Sequence, residues 1–448
     1  MVCASCASTQ ENQGNLDSGN EILTTSDLGL GSGPDRELGK VRLSYQEYGP
    51  LPAGVETVLL DFIETSYEAL ENLQEPNLLP YFDMRREASM KNAYINQLAL
   101  SYLVEVRKDH ELDLRLLDYD CVVEVIHAEE TGLGVWKIGL REHSRVNYAF
   151  IPEVDTYASG VEHELVMEYI GGSWKITFHS KEEDVYYLAE EALGEGDKRE
   201  DQETETMLGA SWESRYEEVH GSLIEYAGVS VARNEKARQE FLLDPDSSGN
   251  AGLEWDYEYD RQAAVDYAYA WVGQNEWLRN PEWIAYDSRG GNCNNFISQC
   301  LMAGGIPMDA QGHISSQWKW IEDYVSSRES LTGRSASWAG VDEFHEYAMN
   351  NQGYGLVALV EQNIYSGRIG DIIQYGSRGG WNHSVIIVDV IRDEQGRIVG
   401  YLINSNTTDR IDCPMSAYSY TDIRLIKILG YNGEDEELEE EIQDTSEQ

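Results

Sequence analysis

Positive charge is scarce in this chain: 33 Lys plus Arg stand against 81 Asp plus Glu over 448 residues, a formal net charge of −48. Such a surface repels phosphate backbones and anionic lipid, so no nucleic-acid partner is expected. No apolar run reaches the roughly 18 residues that a membrane span needs. Cysteine is sparse too. The six, at positions 3, 6, 121, 293, 300 and 413, lack the dense spacing of a disulfide scaffold and the paired CxxC blocks of a zinc module, and neither a metal site nor a cofactor is expected. Cys3 and Cys6 do form one C-x-x-C, in a polar stretch with no helix pattern after it. It also reads as the remnant of a lipoprotein processing site, but no basic and apolar segment precedes it, so the chain as given holds no complete export signal.

Length alone suggests two or three domains, at roughly 100–200 residues each. Residues 1–44 have the Ser, Gly, Asn and acidic composition of a flexible tether. Apolar residues then recur at three and four over 55–73 and again around 84–105, which predicts two amphipathic helices. After them the period changes to short Val-, Ile- and aromatic-rich runs at 112–126, 135–141, 145–151, 162–169 and 174–178, parted by glycines such as Gly132, Gly134, Gly171 and Gly172. This order predicts an α+β domain over 52–188 in which a curved antiparallel sheet wraps a helix. Its closing stretch HELVMEYIGGSWKITFHS resembles the cystatin-like cone fold of the nuclear-transport-factor-2 type, with His163 expected as a sheet residue. Residues 190–258 read as a charged, partly helical linker, too polar to belong to either core, so the two halves are expected to fold separately. The acidic loop at 244–256 is not an EF-hand, because its twelfth position is Trp255 and not a bidentate Glu. A second domain runs over 259–430, helical first and strand-rich after Gly367, followed by an acidic tail at 431–448.

Within that second domain, GGNCNNFISQCLMAGG at 290–305 sets Cys293 at the start of a short buried helix. Asn292 serves as N-cap, while Cys293, Ile297, Cys300 and Leu301 share one face, and Gly304 and Gly305 end the helix. A thiol at that position faces unpaired N–H groups and the positive end of the helix dipole, both of which favour thiolate. Cys300, deeper in the apolar face, is core. A cysteine hydrolase also needs an imidazole and a polar group to hold it. His383 in GGWNHSVIIVD opens the most apolar strand of the domain, whereas His313 and His345 sit in polar or helical surroundings. A turn at DEQG centred between Glu394 and Gln395 sets Asn406 opposite His383, so Asn406 is the expected orienting residue. Asn404, two residues along the same face, is second.

These motifs also resemble a known family. GGNCNNFISQCLMAGGIPMD, GDIIQY, NHSVIIVD and NSNTTDR, with the lead-in YDRQAAVDYAYAWV, resemble in order the "putative amidase domain" family of the papain-like and NlpC/P60-like cysteine hydrolase superfamily, over about 259–429. The resemblance implies a papain-like two-layer domain with Cys293 as nucleophile and His383 as base. Two departures stand out: Asn292 where relatives often carry Asp, and Asn406 where the later strand often carries His.

The resulting expectation is a thiol-dependent amide or peptide hydrolase, secreted or at a bacterial cell surface, acting on a peptide or amide substrate such as cell-wall peptide. Two other readings share the same residues: a catalytically inert papain-like binding module, and an acyl transferase that resolves the thioester with an amine. Nothing in the sequence sets the number of copies.

Overall fold

The computed structural model describes residues 41–45, 49–199, 211–245, 252–274, 278–287, 291–311, 313–320 and 334–433. Nearly all of the expected tether with Cys3 and Cys6, the middle of the acidic loop, Gly290 and the tail from 434 lie outside these residues.

The chain opens with a short strand β1 (Val41–Ser44), then helices α1 (Ala53–Asn72) and α2 (Glu87–Lys108). Val55, Leu59, Phe62, Ile63 and Tyr67 form the buried stripe of α1, as the three-and-four spacing predicts. Four long strands follow: β2 (Leu116–Gly132), β3 (Val135–Tyr148), β4 (Ile151–Ile170) and β5 (Ser173–Lys181). The runs predicted at 135–141 and 145–151 prove to be mainly one continuous strand, β3. Helices α3 (Asp184–Arg199) and α4 (Trp212–Leu243) lead to β6 (Tyr257–Glu258), α5 (Arg261–Ala270), α6 (Cys293–Ala303), α7 (Ala336–Ala339) and α8 (Val341–Asn350). The chain closes with β7 (Gly355–Gln362), β8 (Ile372–Ser377), β9 (Gly380–Arg392), β10 (Ile398–Ser405), β11 (Asp409–Pro414) and β12 (Asp422–Asn432). The fold is α+β, and the described strands join in one mixed sheet of 12.

That sheet corrects the expectation of two separate cores. Its order β1-β2-β3-β4-β11-β10-β9-β8-β12-β6 runs without a break from the first half of the chain into the second, with β5 on β4 and β7 on β12. The joint is the antiparallel pairing of β4 with β11, at Tyr157 with Ile411 and Ser159 with Asp409. Nor does the linker stand outside the cores. Tyr216, Leu223 and Ala227 of α4 are buried in a cluster with Leu98 and Tyr102 of α2 and with Ile373, Tyr375, Val385 and Ile387 of β8 and β9. Asp422 of β12 accepts from Tyr226, from Ser230 (2.8 Å) and from Arg233 (2.7 Å), all on α4. Its charged residues occupy the outward face of an amphipathic helix, and composition does not reveal the apolar stripe beneath.

Candidate active site

Gly291 at φ +107° turns the chain into α6, and every residue from Cys293 to Leu301 is buried. Asn292 is not a side-chain cap. Its Oδ1 accepts from the backbone N–H of Tyr286 (2.9 Å) and from Asn295 Nδ2 (2.8 Å), its Nδ2 donates to Asn406 Oδ1 (2.7 Å), and its backbone N–H donates to Thr407 Oγ1 (2.7 Å). The turn after β10 therefore holds the start of α6. Arg279 holds that turn in its own place, donating to Asp409 (2.8 Å), to Asp287 (2.7 Å) and to the Thr407 carbonyl (3.1 Å).

Strand β9 meets α6 from the other side through Ser384. Its hydroxyl donates to Asn294 Oδ1 (2.9 Å), and its backbone N–H favours the thiolate form of Cys293. His383, the neighbouring residue, lines the same cavity as Cys293. The two residues on which the predicted chemistry rests thus line one cavity. Neither His313 nor His345 is among the lining residues of that cavity. The ring of Tyr418 stacks on His383 with centroids 5.3 Å apart, and on Tyr375 at 4.4 Å. The Tyr418 hydroxyl donates to Asp184, the first residue of α3.

The expected position of Asn406 does not hold. Asp393 pairs with Arg397 across a three-residue loop in which Gly396 takes φ +78°, so the hairpin centres on Gln395. Near the site Ile403 opposes Ile387 and Asn404 opposes Ile386, one residue away from the expected register. A slip of one moves every side chain to the other face. Asn406 consequently bonds Asn292 and the Trp271 carbonyl (3.1 Å) and makes no hydrogen bond to His383. Asn404 is buried on the Ile386 face, accepting from the Asp412 N–H (2.9 Å).

Burial also reverses the expected titration of the thiol. Loss of solvent pushes Cys293 up to about 11, while the N–H groups of Ser384, Asn294 and Cys293 itself oppose that shift and the Asp184 carboxylate adds to it. Burial depresses the His383 imidazole, with Asp184 opposing and Arg410 reinforcing. Both shifts favour the uncharged forms, thiol for Cys293 and neutral imidazole for His383. Nε2 of His383 is buried without a hydrogen-bond partner. Ser384 and Thr407 lie inside motifs that the sequence displays. Tyr418 and Asp184 carry no local signal, since they matter only because the fold sets them behind the imidazole.

The family model described as "Putative amidase domain" matches residues 258–429. Over those residues the chain is similar to that family. The chain is similar to the uncharacterized protein YhbB of Bacillus subtilis (strain 168), 33% identical over 168 residues, 37% of this chain. The chain spans 46% of that protein's length. No solved structure matches the chain. Cys293, His383 and Asn406 all lie within the matched residues 258–429.

Proposed function

We propose that the chain is a thiol-dependent amide or peptide hydrolase with Cys293 as nucleophile and His383 as its acid and base. The observation that carries this reading is that both side chains line one cavity, where Ser384 ties the start of α6 to β9. Because burial holds the sulfur protonated and the imidazole neutral, proton transfer from Sγ to His383 accompanies attack and does not precede it. Sγ bonds the amide carbonyl carbon, and the developing oxyanion is met by N–H groups of the first turn of α6, which have no partner within the helix. The C–N bond then breaks, the amine leaves with the proton from the imidazolium, and a thioester remains. Water, deprotonated by His383, releases the acid and restores the thiol.

The papain-like plan of the amidase domain and the cone fold of residues 52–188 belong to this reading, as does action at the bacterial cell surface, which cell fractionation tests. The chemistry is tested by an electrophilic thiol probe, with the labelled residue found by mass spectrometry. Labelling is expected at Cys293 and is expected to be lost in His383→Ala. Preferential labelling of Cys413, which lines the same cavity, would sink the assignment.

A further inference from the structure

The cavity that holds Cys293 and His383, about 700 Å³, is not confined to the amidase domain. It reaches between α1, α2 and the inner face of β2 and β3, where Leu70, Leu103, Leu116 and Val146 form an apolar wall. The first half of the chain therefore supplies much of the surface that a substrate at Cys293 would touch.

Arg107 of α2 stands in this wall only 7% exposed. Its Nη2 donates to the Ala417 carbonyl (3.1 Å) and lies 3.5 Å from the Tyr148 hydroxyl, while its Nε and Nη1 are buried with no partner. The guanidinium also sits 5.4 Å from the Tyr148 ring centroid. All of these contacts are neutral. A guanidinium does not deprotonate in proteins, and a buried charge is ordinarily matched by an opposite one. The other cations at the cavity wall are matched: Lys181 lies 3.2 Å from Glu142 and 3.1 Å from Glu183, and Arg410 lies 2.6 Å from Glu183. Arg410 nevertheless keeps a buried Nη1 without a partner, and Arg107 and Arg410 both act on Cys413 and on the Tyr148 hydroxyl, which places the two guanidinium groups in one neighbourhood. Asp184 acts on Cys293 and, together with Arg410, on His383.

We propose that Arg107, with Arg410 beside it, binds a carboxylate of the substrate, so that the amides taken by Cys293 carry an acidic group at the end that enters the first half of the chain. This rests on the reading of Cys293 as the working thiol. The wall of leucines and Val146 accommodates an apolar stretch of the same molecule.

The test uses the full chain carrying Cys293→Ala and compares binding of N-acetyl-alanyl-alanine with that of its C-terminal carboxamide by calorimetry. The acid is expected to bind about 10–100-fold more tightly, the scale of hydrogen bonds to a charged group. That preference is expected to vanish in Arg107→Gln and to survive in part in Arg107→Lys. Equal binding of acid and amide, or no binding of the acid, overturns the proposal even if Arg107→Gln fails to fold, and so does a preference that persists in a folded Arg107→Gln. Probe labelling of unmutated protein separates the two claims. Labelling at Cys293 without an acid preference leaves the thiol reading standing and removes this one, whereas an acid preference without labelling does the reverse.

Discussion

The ring of Tyr418 lies against the imidazole of His383, 10° from parallel, and its hydroxyl is tied to Asp184 at the start of α3. The proposed base is thus backed by an aromatic plane whose tether belongs to the first half of the chain. Tyr418→Phe keeps the plane and cuts the tether, and Tyr418→Ala removes both. The alanine variant is expected to slow probe acylation of Cys293 by about 10–100-fold, on the scale known for groups that hold metal-bound histidines, and the phenylalanine variant by less. Equal losses would put the whole effect on the hydrogen bond to Asp184.

Burial makes a pH prediction whose sign differs from that of a poised ion pair. Thiolate is the reactive form, and Cys293 is pushed up to about 11 from an ordinary thiol near 8.5. Iodoacetamide labelling of the resting protein should therefore keep rising with pH past the point where an exposed thiol levels off. The same shift favours the neutral thiol in the fold, so the associated stability is present below about 8.5 and is lost as pH climbs toward 11. A rate plateau below neutral pH would show a resting thiolate–imidazolium pair instead.

Asn406 and Asn404 are expected to separate by readout. Asn406→Ala removes the acceptor of Asn292 Nδ2 and the donor to Trp271, leaving buried groups unpaired, and should cost about 1–3 kcal/mol of stability in denaturant titration. Because Asn292 is the residue before Cys293, acylation should slow as well. Asn404→Ala should lower stability through Asp412 and leave acylation unchanged. A larger loss of acylation from Asn404→Ala would contradict the observed register.

Residues 256–448 expressed alone should fail to give a soluble cooperative unit. Excision uncovers β11 where it pairs with β4, strips α4 from Tyr375, Ile373 and Asp422, and removes Glu183 from Arg410. Gel filtration and thermal melting of that fragment check this, and a monomer with a sharp transition would restore the idea of independent halves.

Much was legible in the sequence because it is written in near neighbours. The stripe of α1 and the start of α6 at Cys293 follow from spacings within a few residues and appear where those spacings put them, while the strand of His383 begins three residues earlier than expected, at Gly380. The partner of His383 was not legible. It depended on whether the DEQG turn centres on Gln395 or beside it, a difference set by the left-handed conformation of Gly396, and one residue of slip exchanges the two faces of β10. The protonation of Cys293 was equally out of reach. The helix start favours thiolate as the local rule says, but the desolvation that outweighs it comes from packing by distant parts of the chain. The sequence by itself determined the chemical types and their order: a thiol at a helix start, then an imidazole on a buried strand, then an amide-rich turn. Only the tertiary structure decided that Asn406 serves Asn292, that Asp184 and Arg107 reach the cavity, and that both halves share one sheet, because contacts between residues far apart in the chain leave no local pattern to read.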